Sequence, residues 1–355
     1  MTAAPIVVPR RSNSAAVLVG TATYTEGLPP MRCVANNITD LHDAITGPAG
    51  VVDPARVTRI VDESDPAVIL ERLDHGAARP LDLLLFYYAG HGVLGAGQHE
   101  RQQLCLALPH SVDRPDRAAR TSLPFDAVLQ ALGGVRARHR VVILDCCFAG
   151  LAVDTAGTAD THVLAATDRV ERARFAQGAR VTDFTRELVR LLDNGIADGA
   201  EHLDLASVYR RLAVVLAAEG LPRPTQCAVN STGDLAIARN VAHGTARSRS
   251  GLLARSRFAQ ALGRTRQYAR TRDLLGEIVA DATEVLPAGD PDTVVYRHLY
   301  ASSVGSAGAP STATALLDEL IAELTATRPN DEPALDRATL SRDFWRTRTV
   351  DAGMP

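Results

Sequence analysis

Leu81 to Gly92 reads L-D-L-L-L-F-Y-Y-A-G-H-G, and Arg140 to Gly150 reads R-V-V-I-L-D-C-C-F-A-G. Each begins as a short apolar run of the kind a buried strand produces. Each then stops at small residues and presents one reactive side chain. His91 stands between Gly90 and Gly92, and Cys147 stands just ahead of Ala149 and Gly150. In open α/β sheets, sites gather at the carboxyl ends of the strands, where both side chains are expected to lie.

Working outward, Ala15 to Gly20 (A-A-V-L-V-G) reads as a further buried strand, as do Leu104 to Leu108 and His162 to Ala166. Cys227 to Ile237 supplies a last strand. Helical apolar spacing runs through Cys33 to Ile45, Ser122 to Leu132, 183–193 and 205–219. Apolar strands alternating with helices imply a mostly parallel sheet covered on both faces, an α/β/α sandwich. Residues 1–13 read as a loose N-terminal tail and 14–240 as this α/β domain.

From residue 241 the texture changes. A-H-G-T-A-R-S-R-S-G is small, polar and basic, so 241–251 reads as a linker. Beyond it strand signals give way to helical spacing, and an internal repeat with a period of 42 residues emerges. Ala259 matches Ala301, Gly263 matches Gly305, and Leu274-Leu275 match Leu316-Leu317. Glu277 matches Glu319, Pro287 matches Pro329, and Pro291 matches Pro333. Matches in register without a gap indicate tandem helix-turn-helix units, so 252–355 reads as an all-α repeat region.

Composition narrows the function classes. The chain has 355 residues, 46% of them hydrophobic, and a formal net charge of -3, which gives no electrostatic signature of nucleic-acid binding. Every basic side chain is Arg, scattered rather than clustered. The five cysteines have no framework spacing, so a disulfide-stapled secreted fold is not expected. The N-terminus lacks the basic-then-apolar order of a signal peptide, and no apolar run is long enough to cross a bilayer. A cytoplasmic protein with reduced thiols is the expectation.

A thiol nucleophile needs a base to make thiolate, and backbone N–H donors aimed at the developing oxyanion. Cys147 sits where a tight turn exposes its sulfur and amide. His91 is a base at a second strand end, and glycine at position 92 lets a substrate carbonyl approach the backbone. Against this stands the ordinary fate of such residues: a strand cysteine is usually inert core, and ten histidines leave room for coincidence.

Tyr87-Tyr88-Ala89-Gly90-His91-Gly92 resembles the catalytic-histidine motif of caspases and metacaspases. Leu144-Asp145-Cys146-Cys147-Phe148-Ala149-Gly150 resembles the metacaspase nucleophile motif, usually D-x-C-H-S-G. His91 also precedes Cys147 by about the 50 residues described for caspases. Asp183-Phe184-Thr185-Arg186-Glu187-Leu188 is similar to the F-T-x-x-L stretch that opens a helix of the smaller subunit. The resemblance spans about Ser14 to Asn240 and implies a caspase-like fold and a cysteine peptidase working as a dyad. Cys147 is then the nucleophile, His91 the general base, and the amides of Gly92 and Cys147 the oxyanion hole. Cys146 falls on the variable position. Residues 252–355 resemble kinesin-light-chain-like tetratricopeptide repeats, with Asp290-Pro291-Asp292-Thr293 similar to their D-H-P-D-T phrase.

The resemblance also bears on specificity. Caspases that cut after Asp carry an Arg in R-x-x-T-D and a Gln two residues before the nucleophile. Here the matching residues are Asn36-Asn37-Ile38-Thr39-Asp40, without that Arg, and Asp145. An acid in the pocket attracts a guanidinium or ammonium, so cleavage after Arg or Lys is expected, with Asp145 as pocket acid and Asp40 as a second candidate. The loop from Leu151 to Val163 holds no Arg or Lys, so a trypsin-like self-cut there is not expected; Arg169, Arg172 and Arg174 follow it, and Arg247, Arg249 and Arg255 in and beside the linker are the favoured self-cleavage sites. The repeats imply an activator protein, and bacterial caspase-like proteins with such modules resemble effectors of stress, antiviral or cell-suicide systems. The alternative is a catalytically idle scaffold. Thiol redox or metal chemistry at Cys146-Cys147 lacks the C-x-x-C spacing. No cofactor or metal site is read, and no calcium-ligand loop stands out.

Overall fold

The computed structural model describes residues 6–75, 80–96, 102–156, 161–167, 178–228 and 232–351. The chain divides into two units, Met1–Val241 and Ala242–Pro355.

The first unit is built on a sheet of six strands in the order β10-β8-β7-β3-β1-β2. These are β1 (Ser14–Gly20), β2 (Val57–Val61), β3 (Leu81–Ala89), β7 (Ala137–Asp145), β8 (His162–Ala165) and β10 (Thr225–Cys227). All neighbours run parallel except β10, which is antiparallel to β8. Side chains alternate across a pleated strand, and here both faces are covered, which is why residues 15–20 of β1 and 83–89 of β3 carry no charged side chain. Leu83, Leu85 and Tyr87 face one layer together with Ala16, Leu18 and Ile143. That layer is made by α1 (Val34–Thr46), α6 (Asp183–Asn194) and α7 (Leu205–Ala218). Leu84, Phe86 and Tyr88 face the other with Val17, Val142 and Leu144. The second layer is made by α2 (Pro66–His75), α4 (Phe125–Gly134) and α5 (Leu151–Ala156).

Two small sheets flank this sandwich. β4 (Gly92–Ala96), β5 (Gln102–Leu106) and β6 (Leu123–Pro124) form an antiparallel set, with α3 (Pro115–Thr121) between β5 and β6 in the chain. The strand expected at Leu104 to Leu108 therefore lies outside the parallel sheet. Only residues 97–101 separate β4 from β5, and so short a connection pairs strands antiparallel. The last strand expected over Cys227 to Ile237 is two. Thr225–Cys227 closes the main sheet, and β11 (Ala236–Arg239) pairs with β9 (His202–Asp204). β2 and α2 were not anticipated: V-T-R-I-V mixes polar with apolar residues because β2 is an edge strand, partly exposed along its length.

The N-terminal stretch is not loose where it is described. Val7 bridges Leu235, Arg10 pairs with Asp82 at 2.7 Å, and Arg11 donates to the carbonyls of Thr46 and Gly47. Its two arginines find acceptors that only the folded domain brings within reach.

The second unit is five helices: α8 (Arg249–Arg264), α9 (Tyr268–Val285), α10 (Pro291–Ser306), α11 (Pro310–Thr327) and α12 (Glu332–Asp351). α10 and α11 repeat α8 and α9 at the interval read from the sequence, and α12 begins a third unit. Residues 249–251, read as linker, form the first turn of α8, capped by the Ser248 hydroxyl. This changes the expectation about self-cleavage. Arg249 is paired with Asp290 and Asp292, and Arg255 is buried against Glu277 and Asp281. Arg247 is paired with Asp281 and Glu284. Arg249 and Arg255 lie in the helix and Arg247 in the turn ahead of it, so none of these ion-paired arginines offers the extended chain a peptidase needs. Arg169, Arg172 and Arg174 lie outside the described residues.

Candidate active site

β3 and β7 lie side by side with Ala89 opposite Asp145. His91 and Cys147 each follow that rung by two residues, so parallel register alone carries both to the same end of the sheet. The turn after β3 requires glycine at position 90. Its φ is 156°, and a Cβ there would meet the Tyr88 hydroxyl at 2.5 Å and the Tyr24 hydroxyl at 2.9 Å. Gly92 is needed for a different reason: a Cβ on it would overlap the Cys147 carbonyl. The main chains that follow the two strands therefore touch at Gly92 and Cys147.

His91 is gripped from several sides. Its amide donates to the Tyr24 hydroxyl at 2.9 Å, and its carbonyl accepts from the Tyr88 hydroxyl at 3.0 Å and the Ala107 amide at 2.9 Å. Its Nε2 lies 2.8 Å from the Pro29 carbonyl oxygen. A carbonyl only accepts, so Nε2 carries the proton and Nδ1 of the neutral ring carries the lone pair. Burial holds the imidazole below its ordinary pKa, while the Pro29 carbonyl and the charge of Asp113 pull the other way. The ring is therefore neutral near pH 7, the state a general base requires.

The two cysteines differ sharply. Cys146 is wholly buried in the second core layer, and burial pushes its thiol well above the ordinary range. Cys147 opens the turn beyond the strand but is itself buried, at 7% exposure, so the turn does not expose it in the way the sequence predicts. Phe148 takes a left-handed φ of 58°, uncommon for a bulky residue and a sign of a sharply constrained turn. Leu151 and Ala152 amides close the turn on the carbonyls of Phe148 and Ala149. Thr167 braces it, donating to the Cys146 carbonyl at 3.1 Å and accepting from the Ala149 amide at 3.3 Å.

Asp145 lies beneath, 1% exposed. Its Oδ2 accepts from the hydroxyls of Thr182 and Thr185, the latter at 2.6 Å, and from the Asn37 amide at 3.3 Å. Thr185 also meets the Tyr87 hydroxyl at 2.6 Å. Every donor to the carboxylate is neutral, and among the described residues no ion pair reaches it. Burial raises its pKa, and the hydrogen bonds from Thr182, Thr185 and Tyr87 offset part of that rise. Asp40 stands one helical turn along α1 from Asn37 and is clasped by the Arg180 guanidinium through both oxygens. The structure thus brings His91, Gly92, Cys147 and Asp145 to one strand end, while Asp40 is engaged with the chain's own arginine.

The family profile of the caspase domain matches residues 13–293. The chain belongs to the caspase-domain family. Caspase-1 of Spodoptera frugiperda is 12% identical, with a TM-score of 0.43 over 64% of this chain and 91% of that one. The Drosophila initiator caspase Dronc is 7% identical, with a TM-score of 0.43 over 65% and 87%. A Podosopora anserina putative kinesin light chain with nearly identical TPR-like repeats is 19% identical, with a TM-score of 0.28. It aligns with 30% of this chain, which spans half of its length. No curated protein matches.

As a caspase-domain protein, the chain carries the fold of a family of cysteine peptidases, with a region of repeated helix pairs after it. Sequence reasoning named no residue to orient His91, yet Tyr24 and Pro29 touch it from more than sixty residues away. No local signal marks them. Thr185 lay inside the F-T-x-x-L stretch, read only as a helix start, and Asn37 inside the Asn36-to-Asp40 stretch. Their convergence on Asp145 is a tertiary fact. Among the described residues, no three His, Cys, Asp or Glu side chains gather to hold a metal ion, and no helix is long and apolar enough to cross a membrane.

Proposed function

We propose that this protein is a cysteine endopeptidase in which Cys147 attacks the scissile carbonyl and His91 moves the proton. Nδ1 of His91 takes the thiol proton, and the sulfur forms the tetrahedral adduct. The amides of Gly92 and Cys147 stabilise the oxyanion. His91 then protonates the leaving amine. Water activated by the same imidazole releases the acyl group, restoring thiol and neutral ring. The meeting of Gly92 with the Cys147 main chain carries this reading, because a shared oxyanion hole requires those two peptides to be neighbours.

Cleavage after Arg or Lys is the specificity we assign, with Asp145 as the pocket acid. Among the described residues every donor to this buried carboxylate is neutral and none supplies a counter-charge, a role that fits a substrate guanidinium. Asp40, held by Arg180, contributes at the rim when that pair opens. The repeats serve as the docking region of an activator protein, and the whole acts as a cytoplasmic effector in a bacterial stress, defence or cell-suicide pathway. The test is turnover of fluorogenic peptides ending in Arg, Lys or Asp by wild type and Cys147→Ala, with and without calcium. Turnover after Arg or Lys that vanishes in the variant is expected. Turnover that survives in Cys147→Ala overturns the nucleophile, and turnover only after Asp overturns the pocket.

A further inference from the structure

We propose that Tyr24 is the positioning residue of the candidate dyad, fixing the peptide and the ring of His91 together. The proposal rests on the reading of His91 as general base. Its hydroxyl accepts from the His91 amide at 2.9 Å and donates to the Thr21 carbonyl at 3.0 Å. Its ring lies against the imidazole, centroids 4.9 Å apart and tilted by 54°. One side chain therefore sets where the His91 main chain stands and supplies a wall for its ring.

The segment that carries Tyr24 is itself anchored. Ala22 and Thr23 amides both donate to Asp62 Oδ1, at 2.7 and 3.0 Å, and Asp62 holds a left-handed φ of 56° to reach them. Thr21 donates to the Ala89 carbonyl at 3.0 Å, the last residue of β3, and Thr25 to the Pro109 carbonyl at 2.9 Å. Met31 returns to the Ala22 carbonyl at 2.8 Å, which closes residues 22–31 into a loop. Pro29, whose carbonyl accepts the hydrogen bond from Nε2–H, lies on the same loop. Residues 22–31 thus work as one clamp: Tyr24 holds backbone and ring, and Pro29 holds the tautomer in which Nδ1 is unprotonated and can act as base. Burial keeps the Tyr24 phenol protonated far above neutral pH, so the hydroxyl remains a donor to Thr21 and an acceptor for His91 throughout the working range. Gly90 completes the fit, since a side chain there would strike the same hydroxyl.

The experiment uses the full chain labelled with ¹⁵N-histidine, as wild type, Tyr24→Phe, Tyr24→Leu and His91→Gln. The last assigns the His91 signals. Imidazole tautomer and pKa are read by NMR, and the pH profile of Cys147 alkylation by iodoacetamide is read by mass spectrometry. Peptide turnover and melting temperature complete the set. In wild type and Tyr24→Phe the Nε2–H tautomer is expected, with kcat lowered about ten-fold in the variant and KM within two-fold, the scale of one lost hydrogen bond. In Tyr24→Leu the smaller side chain no longer covers the imidazole and admits water, so the His91 pKa rises toward its ordinary value and the acid limb of the alkylation profile moves up with it. Wild-type values of pKa, alkylation profile and kcat in both Tyr24 variants would overturn the positioning role, as would losses that track melting temperature alone. If His91→Gln leaves the alkylation profile unchanged, the dyad reading fails and Tyr24 has nothing to position. If His91→Gln flattens the profile while both Tyr24 variants leave it intact, only the Tyr24 proposal fails.

Discussion

Replacing Gly92 by alanine adds one methyl group at the point where the two catalytic turns meet. The new carbon would lie 3.0 Å from the Cys147 carbonyl carbon, with the carbonyl oxygen nearer still, and 3.2 Å from a methyl of Leu104. Unstrained carbon contacts are about 3.5–4.0 Å, so the two main chains must part by roughly 1 Å. Neither yields easily. Gly92 is paired with Leu106 in β4, and the His91 carbonyl is bonded to the Ala107 amide at 2.9 Å. On the other side, Cys147 is held by the Phe148 turn and its Thr167 brace. Misplacing reacting groups by 1 Å costs about 100-fold in rate, and overpacking costs about 1–3 kcal/mol of stability. The assay is kcat/KM on an Arg-ending fluorogenic peptide together with the rate of Cys147 alkylation. Gly134→Ala serves as control, because a Cβ there meets nothing within 4 Å. A folded Gly92→Ala that keeps more than a third of wild-type kcat/KM would refute the contact and the shared oxyanion hole with it.

Asp145→Asn keeps the shape and removes the charge. Because burial raises the folded-state pKa, ionised Asp145 opposes folding at neutral pH. The variant should therefore melt no lower than wild type at pH 8, and any gain should vanish below about pH 4, where both states are protonated. Preference for Arg over a neutral residue should fall by about ten-fold or more, and an unchanged preference removes Asp145 from the pocket. His162 is buried and neutral, its pKa pushed down to about 4. As pH falls from 6.5 to 4 the unfolded chain takes up that proton and the folded chain does not, which costs about 3 kcal/mol. Melting temperature should drop over that window and drop less in His162→Gln; parallel curves would refute it. In the repeats, Gly263→Ala meets only Thr271 at 3.6 Å and should stabilise by about 0.5–1 kcal/mol. Gly305→Ala places a carbon 2.5 Å from the Trp345 ring and should destabilise by about 1–3 kcal/mol. Equal thermal shifts in the two would show that repeat position, and not the neighbour, governs the cost.

The features legible in the sequence were those a residue shares with its immediate neighbours. The buried stretches 83–89 of β3 and 141–144 of β7 announced themselves because strand segments covered on both faces have no polar side to interrupt them, and the glycines and small residues after the strands mark turns by backbone sterics. The repeat interval survived intact because each helix pair must bury the same face against the next. Leu275 and Leu317 are equivalent by count and both buried, at 2% and 0% exposure. From these followed the sandwich, the all-α region, and the placing of His91 and Cys147 each at a strand end; that the two strands are neighbours is seen only in the sheet.

What the tertiary structure alone decided depends on groups distant in the chain. Asn37 reaches Asp145 across 108 residues, and Thr182 and Thr185 arrive from a third element, so the neutral cradle of the buried acid has no local signature. Tyr24 and Pro29 hold His91 from a loop whose own shape depends on Asp62 at the end of an edge strand that its sequence did not reveal. Arg180 on Asp40, and Arg249 and Arg255 in helical ion pairs, turned candidate functional residues into partners of one another. Strand and turn propensities are local and short-ranged, and are therefore written in order along the chain. Charge pairing, burial and the orientation of a base are set by whatever folding brings alongside, which the order of residues does not contain until the sheet has formed.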